Sequence, residues 1–544
     1  MQIDPQQNQR NAQARAVALG SLSELAIDAT ALIQFASRGH VLVIGNMDAM
    51  DVAHRLRQPL HARVLLTEGA EEPGVPVVHQ GGRRLQVSGH LGAFEVQLGE
   101  PGKPNAETLH ADLIVDMSPT PVFAMPLPPL GYVHVSMEDA DLDNTLDALG
   151  DMVGTFEKPK FFHYDAAKCA HGRNGKIACT NCIDACPTDA ISSLMDKIEV
   201  NPNLCQGGGV CATVCPSGAI RYAYPGARDT LEQIKTLLRS YREQGGEAPV
   251  LALFSEGEWE AAGGELPANT PGNVLPVILE ELASVGLDVW LSALAYGVQT
   301  IHLVDAGDIS ERVREALQFQ RETANRLLEA MGYPADLIRL ISPQQLGTAS
   351  DVALLLAKTA SFQTHNDKRE TAYLAIDHLY AQAEHAKPMV LLAAGAPFGN
   401  AELNEAACTL CMACVSACPG KALQAGQDSP VLRFVEANCL QCGLCTRTCP
   451  ENAITLSPRL VFDAEQRRAP RVLKEEPPFH CVECGKPFAT RSVITTMLGK
   501  LQGHAMFQSE RAKRRLMLCD DCRVADVVQD PEAMSQGIDG QFRQ

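Results

Sequence analysis

The sequence predicts a multidomain chain of α/β and α+β character, with two cysteine-rich α+β units, two cysteine-free α/β domains and a small cysteine-stapled module at the C-terminal end. Three observations carry this. The chain has 544 residues, too long for one hydrophobic core, so three to five domains are expected. Its 19 cysteines are clustered, with none in 1–168 and none in 216–407. The cysteine-free stretches alternate short apolar runs with amphipathic patterns, as layered sheets and helices require. Composition divides the chain at 1–150, 151–225, 226–398, 399–460 and 461–544.

Residues 1–150 open with a helix-like stretch, SLSELAIDATALIQFASRG (21–39), and a buried-strand pattern, HVLVIGN (40–46). A helix pattern, MDAMDVAHRLRQ, and a strand, ARVLLTE, give a β-α-β order suggestive of a degenerate nucleotide-binding-like domain. The glycine signature is missing, because GNMDAM stands where G-x-G-x-x-G belongs, so no flavin or nicotinamide site is expected. Residues 82–100 read as a hairpin and 111–118 as a strand. Pro119, Pro121, Pro126, Pro128 and Pro129 mark an extended connector. The stretch 145–162 reads as a helix leading into the first cysteine unit.

The clearest motif is CTLCMACVSACPG (408–420) with CLQCGLCTRTCPE (439–451). Both halves match C-x2-C-x2-C-x3-C-P. Three closely spaced thiolates wrap one face of a cubane, and the fourth, before proline, crosses to the other cluster. One [4Fe–4S] cluster therefore takes Cys408, Cys411, Cys414 and Cys449, and a second takes Cys439, Cys442, Cys445 and Cys418. Two complete runs disfavour zinc. Residues 400–457 resemble a two-cluster bacterial ferredoxin domain.

A second copy of this ferredoxin-like pattern lies in 151–225, with two departures. Nine residues, AHGRNGKIA, separate Cys169 from Cys179 where the run has two; Gly172 and Gly175 allow them to loop out. Cys169, Cys179, Cys182 and Cys215 are assigned to a third [4Fe–4S] cluster; the alternative leaves Cys169 free, with His163 or His171 in its place. The second departure is Gly208, at a ligand position of CQGGGVCATVCP (205–216). The remaining ligands are Cys205, Cys211 and, by crossover, Cys186. Three thiolates hold either a [3Fe–4S] cluster or a [4Fe–4S] cluster whose fourth iron takes water or an outside ligand. Resemblance to three-cysteine ferredoxins and succinate-dehydrogenase-type subunits implies the three-iron form with a raised potential. Gly207 to Gly209 would let backbone N–H groups approach the sulfides.

Residues 226–398 alternate again: helix (229–244, apolar at Leu231, Ile234, Leu237, Leu238 and Tyr241), strand (249–256), helix (273–286), strand (300–305), helix (308–332) and strand (335–342). PMVLLAAGAPFG (388–399) reads as a buried strand and turn. The region faintly resembles the small hydrogenase-type iron–sulfur domain of heterodisulfide reductases. It has no cysteine, so it is read as scaffold. In 461–544, Cys481 and Cys484 pair with Cys519 and Cys522 across thirty-four residues. Two C-x2-C knuckles make a closed zinc site of the zinc-ribbon type, a structural staple. RAKRR (511–515) between them reads as a solvated helix face.

The formal charge of −19 argues against a nucleic-acid partner and suits either a basic patch on a protein or solubility alone. No targeting segment and no membrane span is read, which places the chain in the cytoplasm. No acid–base pair, nucleophile motif or phosphate loop stands out, and His302 and His378 read as structural. The whole order resembles long cytoplasmic bacterial 4Fe–4S proteins associated with molybdenum or tungsten formate dehydrogenases. That resemblance implies an electron-transfer subunit of an oxidoreductase, with such a dehydrogenase as partner. The competing class is a redox sensor or a metalloenzyme-assembly protein, though a sensor usually needs one labile cluster.

Overall fold

The computed structural model describes residues 4–24, 29–69, 74–347, 353–364, 367–426, 429–504 and 507–530. Near the N-terminus, five parallel strands run in the order Val77–His79, His61–Leu66, His40–Gly45, Leu113–Asp116, Tyr132–His134. Val41–Ile44 and Val64–Leu66 are buried on both faces, as a covered parallel sheet demands. The order is that of doubly wound nucleotide-binding sheets. The turn after the first strand differs: Asn46 Oδ1 accepts the Asp48 N–H at 2.9 Å and starts helix Asp48–Arg55 without a glycine loop. A three-stranded antiparallel sheet, Leu85–Ser88, Phe94–Leu98 and Glu107–Ala111, packs on this layer through Phe94, Val96, Leu98 and Leu109.

Several expected helices are strands. In 21–39, Ser21–Glu24 is a 3-10 turn, residues 25–28 lie outside the described ones, and Leu32–Ser37 is a strand. That strand pairs antiparallel with Gly154–Pro159, which in turn replaces the second half of the helix read at 145–162. Pro159 cannot sit in a helix interior, and the alternating LIQFAS run finds its partner more than a hundred residues away. In 273–286 the expected helix is a buried strand, Val274–Leu279, followed by a 3-10 turn and helix Leu287–Ala295. A short, wholly apolar run carries no period, and Pro276 is tolerated because this strand is at the sheet edge.

The central sheet is parallel, in the order Val274–Leu279, Val250–Ser255, Thr300–Val304, Ile338–Ile341. Helices Ala227–Glu243, Leu287–Ala295, Glu311–Ala330 and Lys368–Gln382 pack with it around the fully buried Trp290. The first helix, Pro5–Gly20, joins this core and not the N-terminal sheet. Ala14 and Ala18 are buried against it, Asn8 Oδ1 accepts the Gly272 N–H at 2.7 Å, and Arg15 Nη1 donates to Val274 O at 3.1 Å. Met389–Leu391, expected buried, is an edge strand on Ile454–Val461; only Val390 of the three is buried and Leu391 is 62% exposed.

The two cysteine units share one plan. In the first, strands Phe162–Tyr164 and Ile220–Tyr222 pair, as do Ile191–Leu194 and Lys197–Val200. In the second, Gly399–Leu403 pairs with Ile454–Val461, and Leu423–Ala425 with Val431–Phe434. Each unit has two one-turn helices, Asn181–Ala185 with Val210–Val214, and Ala413–Ala417 with Leu444–Thr448. No described helix is long and apolar enough to cross a membrane.

Candidate iron–sulfur centres and a four-cysteine metal site

Three cavities are each lined by four cysteines. Cys169, Cys179, Cys182 and Cys215 line the first, with Tyr164, Ile198 and Ile220 as apolar walls. Cys408, Cys411, Cys414 and Cys449 line the second, and Cys418, Cys439, Cys442 and Cys445 the third. In each, the cysteine before proline comes from the other half-motif, because the two one-turn helices of a unit pack side by side. Both ring nitrogens of His171 are already engaged. It is buried, with Nδ1 on Cys179 O at 2.8 Å and Nε2 on Ser193 Oγ at 2.7 Å. His163 lies on strand Phe162–Tyr164 and is exposed.

These sites fit a cationic cluster. Burial, then the neighbouring cysteine charges, push the Cys414 thiol up to about 12 and the Cys182 thiol higher still. The partners that raise Cys182 are Cys215, Cys179 and Cys169, and those that raise Cys414 are Cys411, Cys408 and Cys449. Four thiolates this close, several of them shielded from water, need metal charge to exist together. Donors already point at sulfur: Ala422 N–H to Cys418 Sγ (3.2 Å), Ala453 N–H to Cys449 Sγ (3.3 Å) and Gln441 Nε2 to Cys439 Sγ (3.2 Å).

The three-cysteine site keeps the same loop. In the second unit the residues flanking the second cysteine of each run have positive φ: Leu410 (55°) and Met412 (60°), Gln441 (54°) and Gly443 (82°). Gly207 (87°) and Gly209 (70°) repeat this around Gly208, which is not left-handed. Cys211 is half-buried, and its thiol is pushed up by burial and then by Cys205 and Cys186, so the three cysteines converge. The proline connector covers the loop: Leu127 N–H donates to Pro187 O (3.1 Å) and Gln206 Nε2 to Pro128 O (2.7 Å).

Sequence reading missed a set of cations held on the ligand backbones. Lys158 Nζ donates to Cys205 O (2.6 Å), Arg312 Nη1 to Cys186 O (3.1 Å), Arg369 Nη2 to Cys439 O (3.0 Å) and Lys474 Nζ to Cys408 O (2.6 Å). They offset the thiolate charge without touching sulfur. Lys368 and Arg369 open the central helix Lys368–Gln382 and clamp both units. Lys368 Nζ donates to Ala212 O (2.7 Å), and Arg369 Nη1 to Pro216 O (3.3 Å). Each donor is far in sequence from its cysteine, so no local motif announces it.

The last four cysteines are arranged differently. The sulfurs of Cys481, Cys484, Cys519 and Cys522 all lie within 4.8 Å of one another, a spacing for one tetrahedral ion and not for a cubane. Burial raises the Cys481 thiol, but N–H donation from Cys484, Cys519 and Glu483 outweighs it and brings it down to about 6. The 511–515 stretch is paired, with Arg511 and Arg515 on Asp526 and Arg514 on Glu483. His302 and His378 stand apart from every cysteine site; His378 Nε2 meets Lys358 O at 2.9 Å.

Comparison with known proteins adds to this geometry. A 4Fe-4S dicluster domain matches residues 407–454, and a 4Fe-4S binding domain matches residues 198–221. The chain carries ferredoxin-type 4Fe–4S domains. Over 39 residues it is 51% identical to Hydrogenase-4 component A of Escherichia coli (strain K12), a stretch covering 7% of this chain and 19% of that protein. The chain thus spans less than a fifth of that curated relative.

Proposed function

We propose that the chain is an iron–sulfur electron-transfer protein, a cytoplasmic subunit that relays single electrons between a dehydrogenase and an acceptor. Cys169, Cys179, Cys182 and Cys215 hold one [4Fe–4S] cluster; Cys408, Cys411, Cys414 and Cys449 hold another; Cys418, Cys439, Cys442 and Cys445 hold a third. Cys186, Cys205 and Cys211 hold a fourth centre with three thiolates, read as [3Fe–4S], and the C-terminal cysteines hold a structural zinc. When bound, the clusters supply one-electron chemistry. The residues ligate, exclude water and space the centres. One observation carries the reading: the four cysteine sites form a series of neighbours. Cys211 lies within electrostatic reach of Cys182 and Cys215, Cys442 of Cys179, and Cys445 of Cys414. At one end of the series Cys411 is exposed, open to a redox partner.

The matched relative is by name a hydrogenase component, which supports an oxidoreductase complex as partner. A molybdenum or tungsten formate dehydrogenase is the partner proposed. Anaerobically purified protein is expected to contain about fifteen to sixteen iron atoms and about one zinc, and to accept electrons one at a time from a formate dehydrogenase. A content near eight irons would remove the first unit from the relay. Rapid reduction by another dehydrogenase, but not by the formate enzyme, would overturn the partner.

A further inference from the structure

The stretch 170–178 is seven residues longer than the two that separate Cys408 from Cys411. It is built firmly. Gly172–Arg173 and Lys176–Ile177 form a two-rung hairpin closed by Asn174 (φ 53°) and Gly175 (φ 72°). The Gly175 N–H donates to Asp196 Oδ1 at 3.0 Å, which ties the tip to the turn between Ile191–Leu194 and Lys197–Val200. His171, held at both ring nitrogens, fixes its base to Cys179 O and Ser193. The outer strand meets the second unit. Arg447 Nη1, on the one-turn helix Leu444–Thr448 between Cys445 and Cys449, donates to Ile177 O at 2.6 Å. Two residues beyond Ile177 is Cys179, and two residues before the helix Leu444–Thr448 is Cys442; this helix packs against the strand Lys176–Ile177, which brings the two cysteine edges to one junction. Arg369 braces the same junction from the central helix, with Nη1 on Pro216 O and Nη2 on Cys439 O.

We propose that the insertion is a docking hairpin, with Arg447 as its positioning residue, that sets the Cys179 edge of the first unit against the Cys442 edge of the second and so joins two ferredoxin units into one conductor. This rests on the electron-relay reading. The step it serves moves one electron between the centre bound by Cys179 and the centre bound by Cys442, one being oxidised as the other is reduced. No proton moves, no bond forms and no co-reactant is used. It also explains why the insertion is found in the first unit and not in the second: only one face of the pair needs an adaptor.

The test uses the full chain, purified without air and reduced in steps, with magnetic coupling between reduced clusters read by EPR. One variant replaces 170–178 with the two residues Thr-Leu that follow Cys408; the other is Arg447→Ala. Couplings within each unit are common to all forms, so the difference from wild type isolates the junction. The expected result is full iron content with loss of one coupling in both variants, and its return in Arg447→Lys. Unchanged coupling at full iron content would overturn the docking role while leaving the relay standing. If the shortened chain loses iron from the first unit, Arg447→Ala alone decides. A wild-type chain without iron in either unit would sink the relay reading and the junction with it.

Discussion

Gly208→Cys is expected to fold as the native chain does and to gain about one iron atom. Gly208 is outside the left-handed region, and a Cβ built on it meets only Pro187 Cγ, at 3.8 Å, an ordinary contact. Its neighbour is the opposite case: Gly209 has φ 70°, and a Cβ there would lie 2.5 Å from Ser284 Cα and 2.7 Å from Ser284 N. Gly208→Cys should therefore change stability by no more than about 0.5 kcal/mol. Gly209→Ala pays about 1–2 kcal/mol for the left-handed conformation, before any displacement of the Ser284 backbone, and about 3 kcal/mol or more in all. Anaerobic denaturant unfolding separates the two variants. Iron analysis and EPR then read the centre. The cysteine variant should lose the oxidised three-iron signal, gain a four-iron one and shift to a lower potential, because a fourth thiolate adds negative charge. If Gly208→Cys were as destabilising as Gly209→Ala, the claim that only the flanking glycines are conformationally required would be wrong. If it folded normally but kept three irons, the fourth corner would not be within thiolate reach.

Cys481→Ser or Cys519→Ser should release about one zinc and raise hydrogen exchange in Cys481–Arg523, with iron content unchanged, because the closed thiolate site supplies folding energy to a segment with little core; loss of a cluster signal would assign iron there instead. His302 is buried, both ring nitrogens lack a partner among the described residues, and burial, then Arg339, lowers its pKa to about 4. The neutral ring is thus favoured by the fold. Its contribution is fully present above the unfolded value near 6.5 and is lost as pH falls from there towards 4, a change of up to about 3 kcal/mol. Hydrogen exchange of Thr300–Val304 should accelerate over that window, and His302→Leu should flatten the response; an equal slope in the variant would refute the assignment.

The grouping of cysteines around the three four-cysteine cavities was legible in the sequence, because three of each four come from one short stretch of chain. The crossover cysteine before proline was legible for the same reason. The paired knuckles at Cys481 and Cys519 announce a single-ion site by spacing alone. Elements whose identity rests on distant partners were not legible. Leu32–Ser37 is a strand because Gly154–Pro159 lies beside it, and Val274–Leu279 because Val250–Ser255 does. The helix Pro5–Gly20 belongs to a core whose strands begin more than two hundred residues later. Lys158, Arg312, Arg369 and Lys474 reach cysteine carbonyls across 47 to 126 positions. Of the three glycines in the Gly207–Gly209 run, sequence could not say which are forced; the Ser284 backbone packed against Gly209 decides it. Metal ligation is strong, directional and local, so a short motif encodes it. Packing, sheet register and charge compensation sum many weak contacts between remote segments, and only the folded chain brings those segments together.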